Sequence, residues 1–145
     1  MHVRTLAPSR RRGATLLELL AVLAILGTLS AISIASLRHV LHAATLRSAM
    51  GELGAAFSTA RGVALATGGA SVHLSATDVQ VRAGGTVRLE RDLATLYGVT
   101  LAASRDSMAY SATGMGFGAA NLRVVVRRGA LADTLTVSRL GRVRY

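Results

Sequence analysis

The sequence predicts an α+β fold: a long amino-terminal helix, part membrane segment and part amphipathic, packed on an antiparallel β-sheet. Three observations predict it. No charged residue appears between Glu18 and Arg38. Past Arg38, apolar residues recur mostly three or four apart as far as Ala64, and Gly68-Gly69 ends the pattern. From Ser71 onward, short segments of alternating apolar and polar residues are separated by glycine-containing turns. A chain of 145 residues has room for one domain with a modest core.

Residues 1–13 form a basic leader, because Arg4, Arg10, Arg11 and Arg12 lie there with no acid to offset them. Residues 14–37 read as the membrane half of the helix. At 1.5 Å per residue, the uncharged stretch Leu19–Leu37 spans roughly 28 Å, about the thickness of a hydrocarbon core. The flanking arginines place the amino terminus on the cytoplasmic side. A cleaved secretory signal, including a twin-arginine one suggested by Ser9-Arg10-Arg11-Arg12, has an apolar region of about 7–15 residues and no acid. This stretch is longer and carries Glu18. A carboxylate costs on the order of 2.5–3.5 kcal/mol at the bilayer centre, so Glu18 asks for a partner, and a free α-amino group is the simplest one.

The run Gly13-Ala14-Thr15-Leu16-Leu17-Glu18-Leu19 resembles the class III signal of type IV pilins and pseudopilins. The resemblance implies that a prepilin peptidase cuts after Gly13 and that Ala14 becomes the N-methylated first residue. It also implies that Glu18 pairs with the amino terminus of a neighbouring subunit, and that 14–37 forms the filament core once assembled. Ala14 stands where Phe or Met is commoner, and Ala35 stands where many members carry a helix-kinking Pro.

Residues 38–145 then form a periplasmic domain. Its helical part continues to about residue 66, with Val40, Leu46, Met50, Leu53, Phe57, Ala60 and Ala64 on the apolar stripe and Arg47, Glu52, Ser58 and Arg61 on the wet face. Strands are expected at Ser71–Ser75, at Val79–Arg82 turning through Gly84-Gly85 to Val87–Leu89, and at Val99–Leu101 and Met108–Tyr110. These read as a β-meander. Asn121–Arg128 puts Leu122, Val124 and Val126 on one face and Arg123, Val125 and Arg127 on the other. Thr134–Ser138 and Arg142–Tyr145 complete a closing hairpin through Gly141.

Leu46–Leu53 followed by Ala60-Arg61, the central Tyr110-Ser-Ala-Thr-Gly114, and the ending Leu135–Ser138 with Gly141-Arg142 are similar to the GspH/FimT branch of the pseudopilins. Members of this branch are minor subunits at or near the tip of a type II secretion pseudopilus or a type IV pilus. The resemblance implies an inner-membrane assembly platform and other major and minor pseudopilins as partners.

Composition weighs against catalysis. The absence of cysteine excludes a thiolate zinc site and a cysteine nucleophile, and the absence of lysine among 17 basic residues excludes a Walker A phosphate cradle. His39 and His42 lie one helical turn apart but have no carboxylate near them in sequence, so a metal site is not expected. Asp78, Glu90, Asp92, Asp106 and Asp133 fall at expected strand ends or turns, and Ser107 and Ser111 have no evident His partner. Gly114–Gly118 reads as a turn rather than a phosphate loop. No enzyme activity and no cofactor are expected.

The basic carboxy-terminal region offers a second function. From Ala120 onward six arginines face one acid, Asp133. In an extended chain Arg142 and Arg144 point to the same side. In the FimT subset, which serves DNA uptake in natural transformation, a Gly-Arg-x-Arg motif is implicated in DNA contact, and Gly141-Arg142-Val143-Arg144 matches it. Arg139, Arg127 and Arg128 would enlarge the positive field and Tyr145 would offer a stacking face. Read as ordinary structure, the same arginines are a solvated surface and Gly141 is a turn residue.

Overall fold

The computed structural model describes residues 15–117 and 121–145, the side chains at 32–36 excepted. Two compact units divide the chain, 1–38 and 39–145.

Helix α1 runs from Leu16 to Thr67. Thr15 caps its start, since the Glu18 N–H donates to the Thr15 carbonyl at 3.0 Å and to Thr15 Oγ1 at 3.3 Å. Its end is set by Gly68, whose φ of +86° suits glycine and whose N–H reaches the Ala64 carbonyl at 2.9 Å. In the apolar first half, Thr28 and Ser30 donate their hydroxyls to the carbonyls of Ile25 and Leu26 at 2.8 and 2.7 Å. That removes the polar objection to an apolar environment. The leucines and isoleucines from Leu16 to Leu29 stand exposed on every side of the helix. Among the described residues no helical stretch is long and apolar enough to cross a membrane. Residue 14 and the side chains at 32–36, which belong to the expected span, lie outside the described set.

In the second unit, Leu46, Ala49, Met50, Leu53, Ala56, Phe57, Ala60 and Ala64 form one buried stripe along α1. Steps of three and four keep them on one face. Four of the eight are alanines, and Leu46, Met50, Leu53 and Phe57 supply the bulk. Burying a phenylalanine of this kind contributes roughly 1.5–3 kcal/mol. Val40, expected in this stripe, is instead 60% exposed, because nothing in its unit covers that turn.

The strands form two antiparallel sheets rather than one meander. The first contains β1 (Gly69–Leu74), β2 (Asp78–Ala83), β3 (Thr86–Asp92), β5 (Ser107–Ser111) and β6 (Gly116–Phe117), in the order β3-β2-β1-β5-β6. The second contains β4 (Thr100–Ala103), β7 (Leu122–Arg128), β8 (Leu131–Val137) and β9 (Val143–Arg144), in the order β4-β7-β8-β9. Buried pairs such as Val72 opposite Val81 and Val124 opposite Leu135 face the common core.

The switch between sheets is made by helix α2 (Leu93–Tyr97), which strand alternation does not foresee. Asp92 caps it, accepting from the Thr95 N–H at 2.8 Å and the Thr95 hydroxyl at 2.7 Å. These bonds hold the Asp92 carboxyl below its ordinary 3.8. Gly98, at φ +60°, closes the helix and releases the chain into β4. Asp92-Leu-Ala-Thr95 before Gly98 was a legible cap signal.

Two finer expectations change. Gly116 and Phe117 pair with Tyr110 and Ala109 as strand β6 instead of lying wholly within a turn; Gly118 lies outside the described residues. Glu90 and Asp133 sit inside β3 and β8, not at strand ends. Both are exposed, which is how a strand interior accommodates an acid. The edge strand β3 is exposed almost throughout, and its charges discourage pairing with another chain. Arg91 on that edge meets Glu52 of α1 at 2.8 Å.

Candidate functional site

Of the amino-terminal residues, Gly13 and Ala14 lie outside the described set. Glu18 is exposed in the first turn of α1, where the helix dipole favours a negative charge. Thr15 and Glu18 have the Thr-x-x-Glu spacing of a capping box, a second role for this acid that the sequence already carried. The Thr15 half of that box is made.

The carboxy-terminal arginines separate into distinct places. On the second sheet Arg123 lies opposite Thr136, and Thr136 lies opposite Arg144. Directly opposed residues share a face, so Arg123 and Arg144 stand two strands apart, about 10 Å, on the face away from the core. Arg127 joins them, four residues along β7 and opposite Thr100 and Ala132. All three are exposed. The residues between them on this face are Thr100, Ala102, Val125, Ala132, Thr134 and Thr136, so no acid interrupts it. Arg123 was not among the expected contact residues, although its spacing from Arg127 placed it there.

Arg128 points to the other side. It is half-buried, its Nη1 lies against Gly98, and its buried Nε has no hydrogen-bond partner among the described residues. Arg139 lies in the β8–β9 turn, where its carbonyl accepts from the Gly116 N–H at 2.8 Å. Arg142 closes that turn: its N–H donates to Ser138 Oγ at 3.1 Å and its carbonyl accepts from the Ser138 N–H at 2.9 Å. Gly141 has φ +75° and donates to the Ser138 carbonyl at 2.8 Å, which is the left-handed position of a three-residue hairpin loop. Gly141 is therefore a structural turn residue whatever Arg142 contacts. Tyr145 is 71% exposed, yet its hydroxyl end is seated on Gly54 of α1.

His39 and His42 are exposed on α1, and among the described residues no group of three ligand-type side chains gathers there or elsewhere. His73 meets Ser71 Oγ at 3.0 Å on the outer face of the first sheet, a Ser–His contact that sequence spacing had not suggested. No described acid hydrogen-bonds to that ring, and the pair sits on an open sheet face. A nucleophile needs its base oriented by a third group, and none is present among the described residues.

Two comparisons bear on this arrangement. Residues 8–34 match the prokaryotic N-terminal methylation motif. The fold is similar to that of the type IV minor pilin FimU of Pseudomonas aeruginosa strain PAO1. One crystal form matches with a TM-score of 0.57 at 17% identity, over 68% of this chain and 86% of that one. A second crystal form matches with a TM-score of 0.55 at 17% identity, over 68% and 90%. No curated protein matches the sequence. The chain is thus type IV pilin-like: it joins a prepilin-type methylation motif to an α+β body in which a long helix packs on antiparallel strands. The body has the fold of a type IV minor pilin.

Proposed function

We propose that this chain is a minor pilin-like subunit of the GspH kind, built into a type II secretion pseudopilus or a type IV pilus at or near its tip. It enters the inner membrane with its amino terminus cytoplasmic, is cut after Gly13 by a prepilin peptidase, and is N-methylated at Ala14. The supporting observation is the joining of the methylation motif at 8–34 to a helix whose leucines are exposed on every side. Such a helix is stable in a bilayer or against other apolar helices, and in water it has neither. An assembly platform moves it from the first setting to the second. In the filament Glu18 meets the Ala14 amine of an adjacent subunit, since a paired carboxylate avoids the penalty of an isolated buried charge. That pairing fixes the axial register. The role is structural and no reaction is assigned to the chain.

Gly13→Val leaves an uncut precursor, visible on an immunoblot as a band heavier by residues 1–13. Glu18→Gln is cut and inserted but is missing from sheared filaments. The amide keeps the capping-box spacing and removes the charge, so the loss isolates the charge from the cap. Normal incorporation of Glu18→Gln would sink the register role, and a wild-type chain that is never cut would sink the reading as a whole.

A second reading, a FimT-like minor pilin that binds DNA, is favoured by the acid-free face carrying Arg123, Arg127 and Arg144. Phosphate contact by three arginines makes log K fall with log salt at a slope of about −2.7 on duplex DNA. Titration of the detergent-solubilised full chain at two salt concentrations measures it. The triple change to alanine removes the salt-dependent binding. Absence of binding at low salt ends this second reading.

A further inference from the structure

A groove of about 570 Å³ lies between β6 and the β8–β9 turn, lined by Ser111, Thr113, Met115, Phe117, Arg139 and Leu140 around Gly116. Its apolar lining is uncovered: Phe117 is 69% exposed, Leu140 56% and Met115 50%. Three large apolar side chains converging on one groove differ from the scattered apolar residues of an ordinary surface. The groove is also preformed. Its floor is tied by the Gly116 N–H to the Arg139 carbonyl at 2.8 Å and by the Ser111 N–H to the Met115 carbonyl at 2.9 Å.

Charge says what fits it. Arg139 makes no ion pair among the described residues, and Arg61, packed over Gly114 and Gly141 nearby, makes none either. The six acids of the 39–145 unit have their partners elsewhere: Glu52 in Arg91, Asp78 in Ser75, Glu90 in Gln80, Asp92 in Thr95, Asp106 in Ser107 and Asp133 in the Thr134 N–H. An apolar groove with an unneutralised arginine selects a carboxylate next to a large apolar side chain. A second copy is a poor occupant, since its 39–145 unit carries twelve arginines against six acids. A nucleic acid would be met by a cation-rich surface, and here a single guanidinium stands among thioether, phenyl and isobutyl groups.

We propose that this groove docks an acidic segment of a different protein, which inserts an apolar side chain beside Phe117 and Leu140 and sets a carboxylate on Arg139. The groove lies wholly within the 39–145 unit, so the inference does not rest on filament incorporation.

The test is photo-crosslinking in native membranes of the full chain carrying Phe117→p-benzoylphenylalanine, with Val87→p-benzoylphenylalanine on the exposed edge strand β3 as the control. The expected result is a protein adduct specific to position 117 whose mapped peptide contains Asp or Glu beside a large apolar residue. Arg139→Glu lowers its yield about tenfold, the size expected for loss of a charge-assisted contact, while Arg139→Lys retains it. Unchanged thermal unfolding midpoints show that both variants are folded. Adducts are scored whether or not the chain is cut at Gly13, which separates this outcome from that of the filament reading. No adduct, an adduct to lipid, nucleic acid or a second copy, a mapped peptide without acids, or a yield indifferent to Arg139→Glu overturns the proposal.

Discussion

The phenol of Tyr145 sits on the backbone of Gly54, so closely that a β-carbon at position 54 would overlap Tyr145 Oη. The segment after β9 is thereby laid across helix α1, in a shallow groove with Arg47, Met50, Gly51 and Asp133. The obstructing atom is the far end of a side chain held by a strand of two residues. Gly54→Ala therefore displaces the ring, and the helix gains up to about 1 kcal/mol from losing an interior glycine. The unfolding midpoint stays level or rises while the Tyr145 ring resonances move to those of a free tyrosine. A fall in stability of more than about 1 kcal/mol would show the contact to be a structural requirement.

Gly116 is the contrasting case. A β-carbon there meets the Met108 methyl and, at 3.2 Å, the Arg139 carbonyl. Backbone cannot swing aside as a terminal phenol can, so Gly116→Ala costs about 1–3 kcal/mol by overpacking. Denaturant midpoints at constant m-value measure it.

Gly141→Ala separates the turn from the arginines that flank it. The left-handed φ costs roughly 1–2 kcal/mol for a residue with a β-carbon. The added atom also meets the Gly114 carbonyl and the Tyr110 ring, each at 3.2 Å. Arg142→Ala with Arg144→Ala leaves the unfolding free energy within about 0.5 kcal/mol of wild type, as exposed substitutions do. If the double arginine change destabilises the domain as much as Gly141→Ala does, the arginines are structural.

Tyr110 supplies the pH dependence. Its hydroxyl is buried without a hydrogen-bond partner among the described residues, and burial pushes its pKa up to about 12 despite the nearby Arg61 charge. The folded state thus holds this proton more tightly than the unfolded chain, whose tyrosines titrate near 10. The contribution is fully present below pH 10 and is lost as pH rises from about 10 to about 12. Tyr110→Phe removes the orphaned hydroxyl and is neutral or stabilising by about 1 kcal/mol. Its stability is correspondingly flatter across that alkaline window, which urea unfolding at several pH values checks.

The sequence by itself determined the helix, the burial stripe and the motif. Helix α1 follows from its period and from the Gly68 stop, because local spacing decides which face of a helix is apolar. Leu46, Met50, Leu53, Phe57, Ala60 and Ala64 were identifiable as core for that reason. Val40 obeyed the same spacing and stayed exposed, since a period states which face is apolar and not how far the covering layer extends. The methylation motif was legible because its recognition depends on contiguous residues.

The tertiary structure alone decided how the strands divide and which arginines meet. Alternation marks a strand without naming its neighbour, so the chain's passage through α2 into a second sheet was invisible to it. Long-range register put Arg144 beside Arg123 across Thr136 and turned Arg128 toward Gly98. The same packing brought Tyr145 onto Gly54 and left the groove at Phe117 open. Each of these is a relation between residues far apart in the chain, set by which surfaces the core has room to bury.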